Sequence, residues 1–352
     1  GVPAARVLPL YAALPPSQQA RVFEDAPKGG RKIVVATNIA ETSLTIDGVV
    51  FVVDAGFAKS KTYNPRTRVD ALLVAPISRA AADQRAGRAG RTRPGKVFRL
   101  YPEAVYASQL PAQSVPEVLR CNLASVVLDL KKLAVPDLVR FDFLDPPAPE
   151  TLMRALELLH YLGALDADGG LTALGARMGD LPLDPQLSAA LFAASDLGVV
   201  SEVLSVVAVL SVQPPWVRPR DAAREASAAH RALSHPDSDH VALMHILDAY
   251  EATPAPERAQ WAADNYLSAR ALAAASDVRK QLARVLRRLG LDVAPSKLRP
   301  GSAALHNAVR RAVCRAFFMQ AAHLQRGGTY ATARDGTAVR LHPSSGLAAP
   351  PE

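Results

Sequence analysis

The sequence predicts a multidomain chain that begins as α/β and continues as α-helix, and three patterns carry that expectation. Short β-branched runs bounded by turn or polar residues come first, leucine-periodic segments follow, and two alternating segments flank an Asp-Gly pair near the end. "KIVVA" (32–36) and "VVFVV" (49–53) read as buried parallel strands. "VFRLY" (97–101) adds a third. Between the second and third, "YNPRTRVDALLVAPIS" holds two short extended stretches that suggest a hairpin. Residues 78–89 read as a helix with Ser78 as its N-cap.

After Pro102 the texture changes. Residues 117–133 and 150–163 are leucine-periodic and predict helices. The link "FDFLDPPAPE" ends at a helix start, and "DADGGLTALG" carries a tight turn. Two helices, a turn and a small ribbon are compatible with a winged helix. Six further helices, at 186–197, 201–212, 221–233, 239–251, 257–274 and 276–289, predict a bundle. "APSKLRPGSA" connects it to a helix at 303–318, and "GTYATARDGTAVRLHP" reads as a hairpin around Asp335-Gly336. A lone hairpin is marginal, so this last β domain is expected to be incomplete.

With 352 residues the chain has room for two to four domains. Its formal net charge of +8 favours an anionic partner, nucleic acid foremost. Cys121 and Cys314 are the only cysteines; they offer neither a disulfide framework nor metal-ligand spacing and read as core thiols. In "HPDSDH" (235–240), His235 and His240 do not share a helix face and nothing nearby completes a zinc set, so no metal is expected. No apolar run is long enough to span a membrane. The N-terminus shows neither an apolar signal-peptide core nor an initiator Met. A fragment of a longer protein fits this opening.

"QRAGRAGRTRPGKVFRLY" (84–101) poses the chemical question. Gly90 to Lys96 reads G-x-x-x-x-G-K, most of a phosphate-cradling loop. A P-loop next needs a hydroxyl for Mg²⁺ and a helix facing the phosphates. Here Val97 follows, Pro94 lacks an N–H, and a strand is expected, so the P-loop reading fails. On a helix from Ser78, Gln84, Arg88 and Arg91 would stand at i, i+4 and i+7, along one stripe. Gly87 and Gly90 would let another surface approach, at a cost of roughly 1 kcal/mol each within a helix. Such a stripe suits charge stabilisation on a γ-phosphoryl group held by another domain. A solvated charged face is the alternative.

"QRAGRAGR" (84–91) resembles motif VI of DEAH-box RNA helicases, and "TNIAETSLTIDGVVFVVDAG" (37–56) resembles their motif V and the strand after it. "LPLYAALPPSQQARVF" (8–23) is similar to the segment entering their second RecA-like domain, and "LPLDPQL", "VLSVVAVLSV", "WVRP" and "FFMQAAHL" continue the likeness. Among family members it points to those of spliceosome disassembly and ribosome biogenesis. The resemblance implies a partial RecA-like domain at 1–105, a winged helix at 106–180, a helical ratchet bundle at 181–292 and the start of an OB-fold at 293–352.

By the same resemblance, Gln84, Arg88 and Arg91 face the β- and γ-phosphates, with Arg88 and Arg91 as arginine fingers. Arg85 lies off the stripe and is expected to be structural. Phe23 would stack on adenine or else be a core residue; Thr45 and Asp47 would lie near the nucleotide, Asp47 accepting from a ribose hydroxyl or else serving as a turn residue before Gly48. Thr37 and Asn38 would contact the RNA backbone or cap the following helix. Lys59, Arg66 and Arg218 would add RNA contacts. The implied cofactor is ATP with Mg²⁺, whose metal ligands belong to a first RecA-like domain: these 352 residues contain no G-x-x-x-x-G-K-[ST] and no DEAH. The implied partners are RNA, glycine-rich-patch activators and spliceosomal or pre-ribosomal particles, in the nucleus or nucleolus. Two readings follow: the C-terminal part of an ATP-dependent 3′-to-5′ RNA helicase, or a truncated, non-catalytic RNA- or partner-binding module.

Overall fold

A computed structural model describes residues 4–347 except 13, 15, 43, 66–68, 220, 327, 343 and 344, with the backbone alone at 16, 17, 69 and 70. The chain divides into two compact units, Gly1–Cys121 with Phe143–Pro147, and Asn122–Asp142 with Ala148–Glu352.

The first unit is α/β. Strand β1 (Ala5–Leu10) pairs in parallel with β2 (Arg31–Ala36), and the chain crosses between them through α1 (Pro16–Ala20) and a 3₁₀ turn at Arg21–Phe23. β1 is not among the strands the sequence predicts; Pro9, its penultimate residue, lacks the N–H that strand pairing uses. Helix α2 (Ile39–Thr42) leads to β3 (Phe51–Asp54). An antiparallel hairpin follows, β4 (Phe57–Asn64) with β5 (Val69–Pro76); the sequence predicts a hairpin within 63–78, but its first strand begins upstream at Phe57. Helix α3 (Arg79–Ala86) then returns the chain to β6 (Lys96–Arg99), which pairs in parallel with β3. Helix α4 (Glu103–Ser108) follows.

The strands are parallel as the sequence predicts, but only one face of each pair is covered. Leu8, Leu10 and Val22 are buried, with Val34, Ile39, Leu44 and Ile46 packed against them. The alternate side chains stay exposed: Val35 at 63%, Val53 at 64% and Phe98 at 51%. Ile39, Ala40, Leu44 and Ile46 pack on the Leu8–Leu10 side, and strand alternation sends every second residue the other way.

The second unit opens with α5 (Ala124–Lys132), α6 (Pro149–Tyr161), a Leu165–Leu171 bridge and α7 (Ala173–Met178), the helix–helix–turn–ribbon order expected. The single helix predicted over 117–133 is two pieces. A 3₁₀ turn at Glu117–Leu119 precedes α5, and the Asn122 side chain accepts from the Ala124 N–H at 2.8 Å, an Asx turn that restarts the chain. The bundle follows: α8 (Pro185–Leu197), α9 (Val200–Leu210), α10 (Ala223–Leu233), α11 (Asp239–Ala252), α12 (Arg258–Asp264), α13 (Ala269–Arg288) and α14 (Ala303–Phe317). Met244, Leu247, Leu272, Leu282 and Leu286 are among its fully buried side chains. The break expected near residue 275 lies instead at 265–268, where Tyr266 takes φ 52° and the Ser268 hydroxyl caps α13. Finally β7 (Ala322–Leu324), β8 (Tyr330–Thr332) and β9 (Ala338–Val339) form an antiparallel sheet; the Asp335-Gly336 turn joins the last two.

Three imidazoles meet in this unit. His235 Nε2 and His306 Nδ1 are 3.0 Å apart, and the His245 ring lies 5.0 Å from His306 and 6.2 Å from His235. Burial, then the neighbouring histidines, push His245 and His306 down; Asp237 pulls His306 the other way. Burial also pushes His240 down, against Asp239. A folded-state pKa below the unfolded value of about 6.5 means the unfolded chain binds more protons in acid. Stability is therefore fully present above that value and falls as pH drops through it. Melting is expected several degrees lower at pH 5.5 than at pH 7.5, and His306→Phe should flatten that slope; an unchanged slope would remove the cluster from the account.

Candidate functional site

The site is built from the loop after β2 and the segment after α3. Asp54, the last residue of β3, is 2% exposed. It accepts from the Gly56 N–H at 3.0 Å, from Arg85 Nη1 at 2.7 Å and from the Tyr101 hydroxyl at 3.0 Å. Burial pushes its carboxyl up, but these three donors outweigh burial and hold it below the usual carboxylate range. Burial and the Asp54 carboxylate push Tyr101 up to about 12. Arg85 also donates from Nε to Glu41 at 3.0 Å and from both terminal nitrogens to the Phe57 carbonyl at 3.3 Å. One planar guanidinium thus ties α2, β3 and β4 to α3. Against the pull of burial, its two carboxylates push its pKa up. On the far side of α3, Asp83 accepts from Arg99 at 2.8 Å and from the Tyr106 hydroxyl at 2.9 Å.

The helical stripe of Gln84, Arg88 and Arg91 does not exist as such. Helix α3 ends at Ala86 with Gly87 as its C-cap, so Arg88 and Arg91 lie beyond it. Of the two glycines expected to tolerate close approach within a helix, Gly87 caps its end and Gly90 lies beyond it. Gly90 takes φ 87°, which favours glycine, and a Cβ at Gly95 would stand 2.7 Å from the Val50 carbonyl. Both glycines of the P-loop-like pattern therefore have a backbone reason, and the strand β6 follows them directly.

The two arginines still share a target. Arg88 Nη1 reaches the Leu44 carbonyl at 3.4 Å, and Arg91 Nη1 donates to Thr45 Oγ1 at 3.0 Å. Arg85, Arg88 and Arg91 therefore meet Glu41, Leu44 and Thr45 in the same order along the chain. An arginine carries five N–H donors, so most of those on Arg88 and Arg91 remain for an anion. Gln84 is exposed at the end of α3, where its carbonyl lies 3.5 Å from Arg88 Nε.

Thr37 and Asn38 are exposed and start α2, their carbonyls accepting from Ala40 and Glu41 at 3.2 and 3.0 Å. The Thr37 N–H is fixed to the Leu10 carbonyl at 3.0 Å. Asp47 is exposed in the turn before Gly48, which takes φ 77°. Phe23 is 52% exposed and so is not a core side chain. Lys59 on β4 and Arg218 are exposed, and among the described residues neither side chain makes a hydrogen bond or ion pair. Arg218 belongs to the second unit, beside Val217, whose N–H bonds the Tyr266 carbonyl at 2.9 Å. Arg66 lies outside the described residues. Residue-by-residue reading missed Glu41, Asp54 and Tyr101. Their signal was an acid closing the apolar run "VVFVVD" and a glutamate within "TNIAETS".

Comparison with known families matches three regions. Residues 3–93 match the helicase conserved C-terminal domain. Residues 155–183 match the winged-helix part of the helicase associated domain (HA2), and residues 184–243 match its ratchet-like part.

Proposed function

We propose that this chain, which carries the helicase C-terminal domain and both helicase-associated modules of DEAH/RHA-type RNA helicases, serves as the C-terminal part of an ATP-dependent 3′-to-5′ RNA helicase. The observation that carries the reading is the paired arrangement of the arginine segment and residues 41–45. It sets two guanidiniums beside a loop whose exposed start, Thr37 and Asn38, can donate to phosphate oxygens or accept from a 2′-hydroxyl. We place residues 1–105 as the second RecA-like domain, 106–180 as the winged helix, 181–292 as the ratchet bundle and 293–352 as the start of an OB-fold.

The residues present fit a nucleotide whose metal is held elsewhere. Arg88 and Arg91 are permanently charged donors with free N–H groups, and Phe23 offers an exposed ring for an adenine. Among the described residues no cluster of three His, Cys, Asp or Glu could hold a metal ion. The Mg²⁺ ligands are assigned to another lobe, where the ion would neutralise phosphate charge. Arg88 and Arg91 would approach the γ-phosphate across the lobe interface and stabilise the charge that spreads over its oxygens during transfer. Gln84 would orient the attacking water. Thr45 and Asp47 would border the sugar and phosphates, and Thr37, Asn38, Lys59, Arg66 and Arg218 would follow the RNA backbone. The pathway reading is spliceosome disassembly and ribosome biogenesis in the nucleus and nucleolus, with activation by glycine-rich-patch proteins.

RNA binding tests the reading on the chain itself. Three cationic contacts to a single strand predict an affinity loss of roughly 20-fold between 50 and 200 mM salt, from a slope of about −0.7 per phosphate neutralised. Fluorescence anisotropy on a labelled single strand measures it. An affinity indifferent to salt would count against RNA as the partner.

A further inference from the structure

We infer that Arg85 is a positioning residue: by clamping Glu41 of α2 to Asp54 at the end of β3, it sets where Thr37 and Asn38 stand relative to Arg88 and Arg91. This rests on the RNA-helicase reading above and deepens it, joining the backbone-contacting end of the loop to the phosphate-facing guanidiniums.

Three observations carry it. The first is geometric order: Arg85, Arg88 and Arg91 engage Glu41, Leu44 and Thr45 in sequence, so the two segments run side by side. Of these contacts the Arg85–Glu41 pair is the best sequestered, with side chains only 16% and 15% exposed. The second is that Asp54, with its side chain fully buried, already neutralises Arg85 at 2.7 Å. A second carboxylate is not needed for charge balance, and bringing it out of water is unfavourable unless its place matters. The third is the location of Glu41. Its own N–H bonds the Asn38 carbonyl at 3.0 Å, so fixing the Glu41 side chain fixes the first turn of α2 and the exposed residue that starts it. Asn38 is thereby two bonds from the arginine segment, through Glu41 and Arg85.

A double-mutant cycle on the full 352-residue chain tests this, read as the Kd for a labelled twelve-nucleotide oligouridylate. Asn38→Ala should weaken binding about 5-fold, the worth of one hydrogen bond. Glu41→Gln should weaken it about 3-fold, because Asn38 is then presented loosely. If Glu41 acts through Asn38, the two changes together should weaken binding no more than Asn38→Ala alone. The control is Arg218→Ala, in the other compact unit, with which Glu41→Gln should multiply. A purely structural effect of Glu41 would multiply with both. The same cycle with Arg85→Lys guards against an effect of the glutamine itself: lysine keeps the charge beside Asp54 but cannot span both carboxylates. Multiplication of Glu41→Gln with Asn38→Ala overturns the inference while leaving RNA binding intact. A wild-type chain that does not hold the strand overturns both this inference and the reading beneath it.

Discussion

Alanine in place of Arg88 is expected to lower RNA-stimulated ATP turnover by ~10³- to 10⁵-fold in a protein that joins this chain to a lobe holding the metal–triphosphate. Arg88 is half-buried and its guanidinium is already steered by the Leu44 carbonyl, so little reorganisation would separate it from a phosphate presented by that lobe. A donor placed in advance acts chiefly on the charge that develops during transfer, not on the ground state. The loss should therefore fall on kcat, with KM nearly unchanged. Arg88→Lys should recover only a small part, because a point charge does not reproduce a planar fork. The 352-residue chain alone should hydrolyse no ATP, since it contains no G-x-x-x-x-G-K-[ST]. Turnover by the purified chain would overturn the assignment of the metal–triphosphate to another lobe, and an Arg88→Ala enzyme within tenfold of wild type would remove Arg88 from the chemistry.

What was legible in the sequence was whatever local physics decides. Ser78 before an alanine-rich run caps α3 through the Ala81 N–H at 3.1 Å, and "KIVVA" and "VVFVV" became parallel strands. Asp335-Gly336 turned a hairpin, Gly336 taking φ 63°. What was illegible depended on distant partners or on ambiguous glycines. The spacing of Gln84, Arg88 and Arg91 suits a helix, yet Gly87 and Gly90 admit both a helix and its end, and the backbone took the end. The arginines found their targets forty-odd residues upstream, a pairing no periodicity encodes. Arg85 read as structural because it fell off the stripe; with the stripe gone, it is the most firmly held of the three. The imidazole cluster was hidden for the same reason, since His235, His245 and His306 come from a loop and two separate helices.

Arg85→Ala should destabilise the first unit by about 3–5 kcal/mol, the usual consequence of stranding one member of a buried ion pair. Asp54 would keep the Gly56 N–H and the Tyr101 hydroxyl but lose its only cationic neighbour within salt-bridge distance among the described residues. The sign of the pH dependence separates this from a loss of packing. In the wild type the Asp54 carboxyl is held below its ordinary value, so its contribution is present above the unfolded pKa of about 3.9 and is lost only as pH falls through the folded one. In the variant, burial prevails and raises that carboxyl, so the unit should take up a proton at higher pH than the wild type does. The stability gap should therefore narrow between pH 7 and pH 4; a gap independent of pH would mean the arginine acts by filling space. The chain provides its own control. Its two tryptophans, Trp216 and Trp261, both lie in the second unit. Tryptophan fluorescence should report an unmoved transition, while amide exchange in β1 to β6 reports the loosened one.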